Sequence, residues 1–339
     1  MKVLKAITAL ALVFSLGACA EEEPVPTPTP DPVAESPSAV VGEERLQEIL
    51  DEVNAALTEA DAESNSEKSS ARVVGPAADL RQAEYDLSKV TEDPVSALST
   101  ESQLSIVAAT DEWPRTVFVA TTIPDDANLP LLLALVQETP RSVYQLWSWV
   151  RILPGTELPQ TAAAAVGSPP VAADSEDLLV APTAVVKQYV DLLNEGDDDS
   201  EYAENFADDS FRELVAKEVS DLNSAVSDAG KATISSAVRT DDGVLALQTY
   251  DGGAIVFASI TSDLRVEKTV PRGTLKVGKI LAYGGDQTVL MDTPLTAHYI
   301  ATLALYVPPA GSEDTIEVLG AERVLAGVTR GDDEEEDDE

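Results

Sequence analysis

The chain has 339 residues, of which 61 are acidic and 22 are basic, so its formal net charge at pH 7 is −39. Nucleic-acid binding requires a cluster of Lys and Arg, so the composition excludes nucleic acid as a partner, and it disfavours adsorption on anionic lipid. The chain has one cysteine, Cys19, and one histidine, His298. Sites with two or more thiolate or imidazole ligands are therefore excluded, and we predict no metal and no cofactor.

Residues 1–18 have the layout of a secretory signal, with two lysines before an apolar run that is too short to span a membrane. The run ends in a four-residue motif that contains the single cysteine: Leu16, Gly17, Ala18 and Cys19. This motif resembles the bacterial lipobox, which implies cleavage before Cys19 and acylation of its thiol. The alternative is an ordinary signal peptide with a chance cysteine. We predict a chain anchored through lipid on Cys19 at the outer face of the cytoplasmic membrane, because acyl chains supply the binding that charge does not.

Residues 19–42 predict a disordered tether that is rich in Pro and Glu. Alternating prolines favour an extended polyproline II conformation and cannot pack as helix or sheet. At about 3.1 Å per residue, such a stalk reaches up to roughly 60 Å. We prefer a stalk to a docking motif for this stretch.

Residues 43–159 predict a first α+β domain. Apolar residues at helical spacing after Glu43 indicate one amphipathic helix, and a second helix is expected over 74–87 with Gly75 and Pro76 in its first turn. The period then changes to two, and turn residues separate four predicted strands: 103–110, 116–123, 129–139 and 142–153. Strands this close in sequence are expected to pair as an antiparallel meander.

Residues 160–181 interrupt the pattern and predict a connection, after which residues 182–330 repeat the order of the first domain. One helix is expected from Pro182, and a longer helix is expected with Asp209 or Ser210 as its cap. Eight strands are predicted after these helices: 231–238, 243–249, 253–261, 264–270, 274–280, 287–292, 295–307 and 316–325. Residues 331–339 contain eight acids and predict a disordered tail.

Helices followed by a curved antiparallel meander, twice over, resemble two tandem cone-shaped α+β domains of the cystatin and nuclear transport factor type. Short motifs add to this pattern in a fixed order: Arg72–Ala77, Arg81, Tyr85, Trp149–Gly155, Leu158–Pro159, Gln188–Leu193, Gly252–Phe257 and Val307–Gly311. Their order resembles a family of actinobacterial envelope lipoproteins of uncharacterised function. The resemblance implies an architecture and a location, and it implies no catalytic residue.

Trp147, Trp149 and Arg151 are spaced two residues apart on one predicted strand and are therefore expected to share a face. Two indoles beside a guanidinium are suited to stack on a sugar or a peptide. The residues between them are apolar as well, which favours the alternative of a central strand covered on both sides.

His298 lies on the more polar face of a long predicted strand, where it is a candidate general base or a partly exposed sheet residue. The acids nearest to strand patterns are Asp263 and Asp292, and Tyr283 and Tyr299 are candidate partners. No Gly-x-Ser-x-Gly motif is present to supply a nucleophile.

The main hypothesis is a non-catalytic, lipid-anchored envelope protein that binds or scaffolds an unidentified envelope protein or small ligand. A second hypothesis is a carrier that holds an apolar small molecule inside one cone, which requires a lined cavity of some hundreds of Å³. A third is a hydrolase or isomerase, which requires a buried acid beside His298 or a tyrosine.

Overall fold

Four α-helices and nine β-strands form the part of the chain that the computed structural model describes, namely residues 37–123, 128–270 and 294–331. The helices are α1 (Glu43–Glu63), α2 (Gly75–Thr91), α3 (Pro182–Glu195) and α4 (Ser210–Val226). The strands are β1 (Ser102–Val107), β2 (Arg115–Thr121), β3 (Leu131–Gln137), β4 (Gln145–Ile152), β5 (Gly230–Val238), β6 (Leu245–Gln248), β7 (Ala254–Lys268), β8 (Leu295–Val307) and β9 (Glu317–Arg330). The predicted α+β class is confirmed.

The helices begin and end where the local sequence requires. Pro76 and Pro182 occupy the first turns of α2 and α3, where no backbone N–H is needed. The carboxylate of Asp209 accepts a hydrogen bond of 2.8 Å from the backbone N–H of Arg212, so Asp209 caps α4 as predicted. α1 ends at Ser64 in the left-handed conformation with φ 47°.

The nine described strands form one sheet in the order β1-β2-β3-β4-β9-β8-β7-β5, with β6 beside β7. All of the pairs between these strands are antiparallel, and β1 to β4 pair in sequence order, which confirms the predicted meander. The two halves meet where β4 pairs with β9, through Arg151 with Ala321 and Ile152 with Gly320. A Cβ atom on Gly320 would lie 2.5 Å from Cγ2 of Val150, so this junction requires glycine.

The sheet bends so that the halves pack face to face between two helical layers. α1 and α2 cover one face of β1 to β4, and α2 also packs on β9; α3 and α4 cover one face of β5 to β9. The opposite faces of both halves share a third core cluster, in which the rings of Phe118 and Phe257 are 4.8 Å apart. Described residues of both halves belong to one compact unit, Ser36–Glu339. The division into two cone domains therefore stays a prediction.

Strand boundaries follow the predictions closely, with one clear correction. β8 covers the predicted 295–307, whereas the predicted strands 253–261 and 264–270 form the single strand β7. Ser262 and Asp263 suggest a turn in sequence, but they continue the ladder opposite Tyr299 and His298. The predicted strands 274–280 and 287–292 lie outside the described residues.

The connecting segments contribute to the fold more than the sequence suggests. The predicted tether extends to residue 42, yet Ala39 already bridges to Ala109. The connection 160–181 pairs with both halves, because Ser168 bridges to Ala108 of the first half and Pro170 bridges to Leu247 of the second. The signal, Cys19, most of the tether and tail residues 332–339 lie outside the described residues.

Candidate functional site

The predicted platform of Trp147, Trp149 and Arg151 is divided by a β-bulge. Ala134 pairs with Ser148 and Leu135 pairs with Leu146, so Trp147 is an extra residue in β4. Trp147 consequently packs in the core cluster shared by the two halves, and Trp149 packs under α1 and α2. The prediction that both indoles share a face is wrong, and because both are buried they present no stacking surface.

Arg151 forms an ion pair with Glu322 at the boundary between the halves, with 3.0 Å between Nε and Oε2. Burial raises the pKa of Glu322 to about 7; Arg151 opposes this shift and the neighbouring Glu84 adds to it. Arg151 thus holds β4 to β9 and is already engaged by a carboxylate.

A buried charge network that the sequence reading did not assign as a site lies next to this pair. The side chain of Arg81 is fully buried. It donates hydrogen bonds to Asp61 (2.6 and 3.0 Å), to Glu84 (2.6 Å) and to the carbonyl oxygen of Ser96 (3.0 Å). Tyr85 donates a hydrogen bond of 2.6 Å to the same Asp61 carboxylate. The sequence signal for this network is the spacing of Arg81 and Tyr85, four residues apart on one face of the amphipathic helix α2.

His298 lies between two polar side chains on neighbouring strands. Its Nδ1 is 2.8 Å from Oδ1 of Asp263, and its Nε2 is 2.9 Å from Oγ1 of Thr329. A shallow depression of about 320 Å³ borders Asp263 and His298. The Asp263 side chain is 53% exposed, so it is not the buried acid beside His298 that an enzyme of this type requires. Tyr299 belongs to the buried cluster that includes Leu264 and Val266; Asp292 and Tyr283 lie outside the described residues.

The most spacious of the cavities that we describe is a groove of about 750 Å³ on the first half. One wall is the start of α1, the floor is the outer edge of β1, and the other wall is the segment Leu158–Ala165, which ends in a turn. We call this cavity the β1 groove. The sequence predicts that residues 160–165 belong to a connection. It does not predict the groove, because the walls of the groove come from three distant stretches of the chain.

The outer edge of β1 is partly covered by the connection. Ala108 donates its N–H to Thr116 on the side of β2, whereas Ala109 donates to the carbonyl of Ser168 (2.9 Å) and Ser168 donates to the carbonyl of Val107 (2.8 Å). Ser168 therefore pairs with the edge opposite β2. Because strand residues alternate in direction, the N–H and C=O of Ser105 also point away from β2, and Ser105 lines the β1 groove.

The described residues contain neither a membrane-spanning helix nor a cluster of metal ligands. In this part of the chain, no helix is both long enough and apolar enough to cross a membrane. Among the same residues, no group of three or more His, Cys, Asp or Glu side chains is positioned to hold a metal ion.

Comparison with known proteins gives one match. No curated protein and no solved structure matches the chain. A family model for a domain of unknown function, DUF8094, matches residues 37–329, which include all four helices and, apart from Arg330, all nine strands described above. The chain therefore belongs to the DUF8094 family.

Proposed function

We propose that this protein is a lipoprotein anchored at the outer face of the cytoplasmic membrane, where its folded body has a non-catalytic binding or scaffolding role. The observation that carries the proposal is Leu16-Gly17-Ala18-Cys19 at the end of a charged and then apolar leader. The match to the family model begins at residue 37, which leaves the lipobox and the Pro-rich stretch outside the matched domain. That order is what a lipid anchor followed by a tether requires.

The anchor is tested by comparing the wild-type chain with Cys19→Ser, with Ser15→Ala as a control in the same leader. We expect the wild-type and Ser15→Ala chains in the membrane fraction, labelled by a clickable fatty acid, and Cys19→Ser unlabelled and released into the medium. Wild-type protein that is water-soluble with its leader intact would overturn the proposal.

The binding role rests on the β1 groove, whose volume lies within the range of ligand sites in proteins. A second candidate function is that of a carrier for an apolar small molecule, and the volume of the same groove supports it. The groove, however, lies at a sheet edge and not inside a helix–sheet core. Mass spectrometry of an organic extract of the purified full chain tests the carrier: a stoichiometric apolar compound supports it, and an empty extract counts against it.

For the architecture, the proposal includes two copies of one cystatin- or nuclear-transport-factor-like unit, as in the actinobacterial lipoproteins that the chain resembles. Each half supplies two helices followed by antiparallel strands, which supports this relation. In an experimental structure, we expect α1, α2 and the strands β1 to β4 to superpose on α3, α4 and the strands β5, β7, β8 and β9, with β6 as an addition to the second half. Helix pairs that lie at unrelated positions on the strands of the two halves would contradict it.

A further inference from the structure

We propose that the β1 groove binds an extended, uncharged segment of a partner protein, which pairs with the free edge of β1 as an additional strand. The inference rests on the proposed binding role and specifies the partner. It follows from the main-chain geometry of β1, from the composition of the groove and from the way its far wall is held.

The β1 edge already pairs with one residue of the connection, in an isolated bridge. Ser168 forms two main-chain hydrogen bonds with Val107 and Ala109, in the geometry of a parallel strand. Ser105 is the next outward-facing residue of β1, and it lies in the groove beyond the reach of this bridge. A bound segment would continue the row of main-chain hydrogen bonds that Ser168 begins. Strand addition of this kind derives its affinity from main-chain hydrogen bonds.

The composition of the groove selects uncharged side chains. Glu43 is the only charged residue among the described residues that line it, although 61 residues of the chain are acidic. Except for a basic side chain next to Glu43, a charged side chain inside the groove would lose water without gaining a partner of opposite charge, which is unfavourable. The wall formed by Ala162–Ala165 carries only methyl side chains and leaves room for those of a bound segment.

The far wall of the groove is held at both ends, so the site exists before binding. The carbonyl oxygen of Gln160 accepts a hydrogen bond of 2.8 Å from the N–H of Tyr250. At the other end, Gly167 has φ +85°, and a Cβ atom there would lie 2.9 Å from Cβ of Ala109. Only glycine therefore brings the wall this close to β1. Preformed walls reduce the entropy lost on binding.

The test uses the full chain purified in detergent, with a phage library of random linear peptides as the probe. We expect enriched peptides to be uncharged and rich in β-branched residues. Synthetic copies with blocked ends should slow hydrogen exchange at the amide of Ser105. Enrichment of charged peptides, failure to enrich any peptide, or unchanged exchange at Ser105 would overturn the inference.

Two variants and a control locate the binding. Ser105→Pro removes the outward N–H without removing a donor to β2, and Ala163→Trp fills the groove from its far wall. Val166→Trp is the control, because Val166 is highly exposed and lies next to that wall but does not line the groove. We expect peptide affinity to fall at least about tenfold in the first two variants and to stay unchanged in the control. Equal affinity in all three would reject the site.

The outcomes separate this inference from the proposed function. Peptide binding is measured in detergent and does not depend on the lipid anchor. Membrane retention of the wild-type chain without peptide binding would reject the strand addition alone. A co-purifying apolar compound that occupies the groove and blocks peptides would instead support the carrier.

Discussion

The two halves of the molecule hold their helices with different polar contacts. In the first half, Arg81 is fully buried, and both Asp61 and Glu84 accept its hydrogen bonds. In the second half, Arg212 contacts Asp208, whose side chain is 95% exposed, at 3.2 Å. Among the described residues, Nη1 of Arg212 has no hydrogen-bond partner. We call the first network closed, because its carboxylates Asp61 and Glu84 are only 26% and 14% exposed, and the second network open, because Asp197 and Asp208 are 65% and 95% exposed.

The two outer strands of the sheet show the reverse contrast: the edge of β5 in the second half is covered, whereas the edge of β1 in the first half is partly open. At β5, Asn194 bonds to both the N–H and the C=O of Ser236, and Asn223 does the same for Ala232, with distances between 2.6 and 3.0 Å. At β1, the connection covers one end and leaves Ser105 facing the groove. Side chains from α3 and α4 thus protect the β5 edge, as natural sheets require of an unpaired strand.

The two halves therefore share an order of helices and strands but differ in how their outer strand edges are covered. The first half combines a rigidly held helix pair with an open strand edge, which is the combination a binding site needs. The second half closes its edge and tolerates a looser helix contact. We therefore propose that the first half is the binding half, and variants of the contacts that distinguish the two halves test this proposal.

The largest expected effect comes from Arg81→Met. Removal of the guanidinium leaves Asp61 and Glu84, which are only 26% and 14% exposed, without their cation, so we expect the free energy of unfolding to fall by about 3 to 5 kcal/mol. Arg212→Met is the matched variant of the second half. Its partners Asp197 and Asp208 are already exposed to water, and the buried Asp209 keeps the hydrogen bonds from Tyr189 and from the N–H of residue 212, so we expect a loss of about 1 kcal/mol. Urea denaturation measures both losses. Equal losses would remove the distinction between a closed and an open network.

The next effect concerns Glu322, which lies where β9 meets α2. Burial raises its pKa to about 7, so the folded state keeps a proton that the unfolded chain releases. The free energy of unfolding therefore decreases as pH rises from about 4.5 to about 7. Relative to the wild type, Glu322→Gln should gain up to about 3 kcal/mol between pH 5 and pH 8, because it does not titrate.

The control for this pH dependence is Glu317→Gln, an exposed carboxylate at the start of the same strand. Its stability should follow that of the wild type across the whole range. If the Glu322→Gln and wild-type curves stay parallel from about pH 5 to pH 8, Glu322 does not hold the proton in the folded state.

Hydrophobic periodicity accounts for most of the fold that could be predicted. α1 was expected from Glu43, and β8 was expected at 295–307, because each has a regular apolar pattern over many residues. The prediction of two strands in place of β7 was wrong because polar residues interrupt the apolar pattern there. Ser262 and Asp263 are polar, but Ser262 bonds to Ser236 and Asp263 contacts His298, so neighbouring strands retain them in the ladder.

The site was less predictable, because it depends on contacts between distant residues. Strict alternation placed Trp147 beside Trp149, and a single bulge in β4 moved them to opposite faces. The β1 groove requires residue 105 to meet the segment 158–165 and the start of α1. Periodicity identifies the elements, but it contains no information about which strand edge remains uncovered.

The smallest expected effect tests the β5 edge directly. Asn194→Ala and Asn223→Ala each leave one N–H and one C=O of β5 without their side-chain partner, and we expect each to cost about 1 to 2 kcal/mol. Because the two sites lie on different helices, the double variant should lose about the sum of both. Asn54→Ala, at an exposed position on α1, is the control and should change little.

Sedimentation velocity adds a second measurement: an uncovered β5 edge should make the double variant self-associate, whereas the wild type remains unchanged at the same concentration. If the double variant stays as stable and as dispersed as the control, the asparagines do not protect this edge, and the contrast with β1 no longer identifies the first half as the binding half.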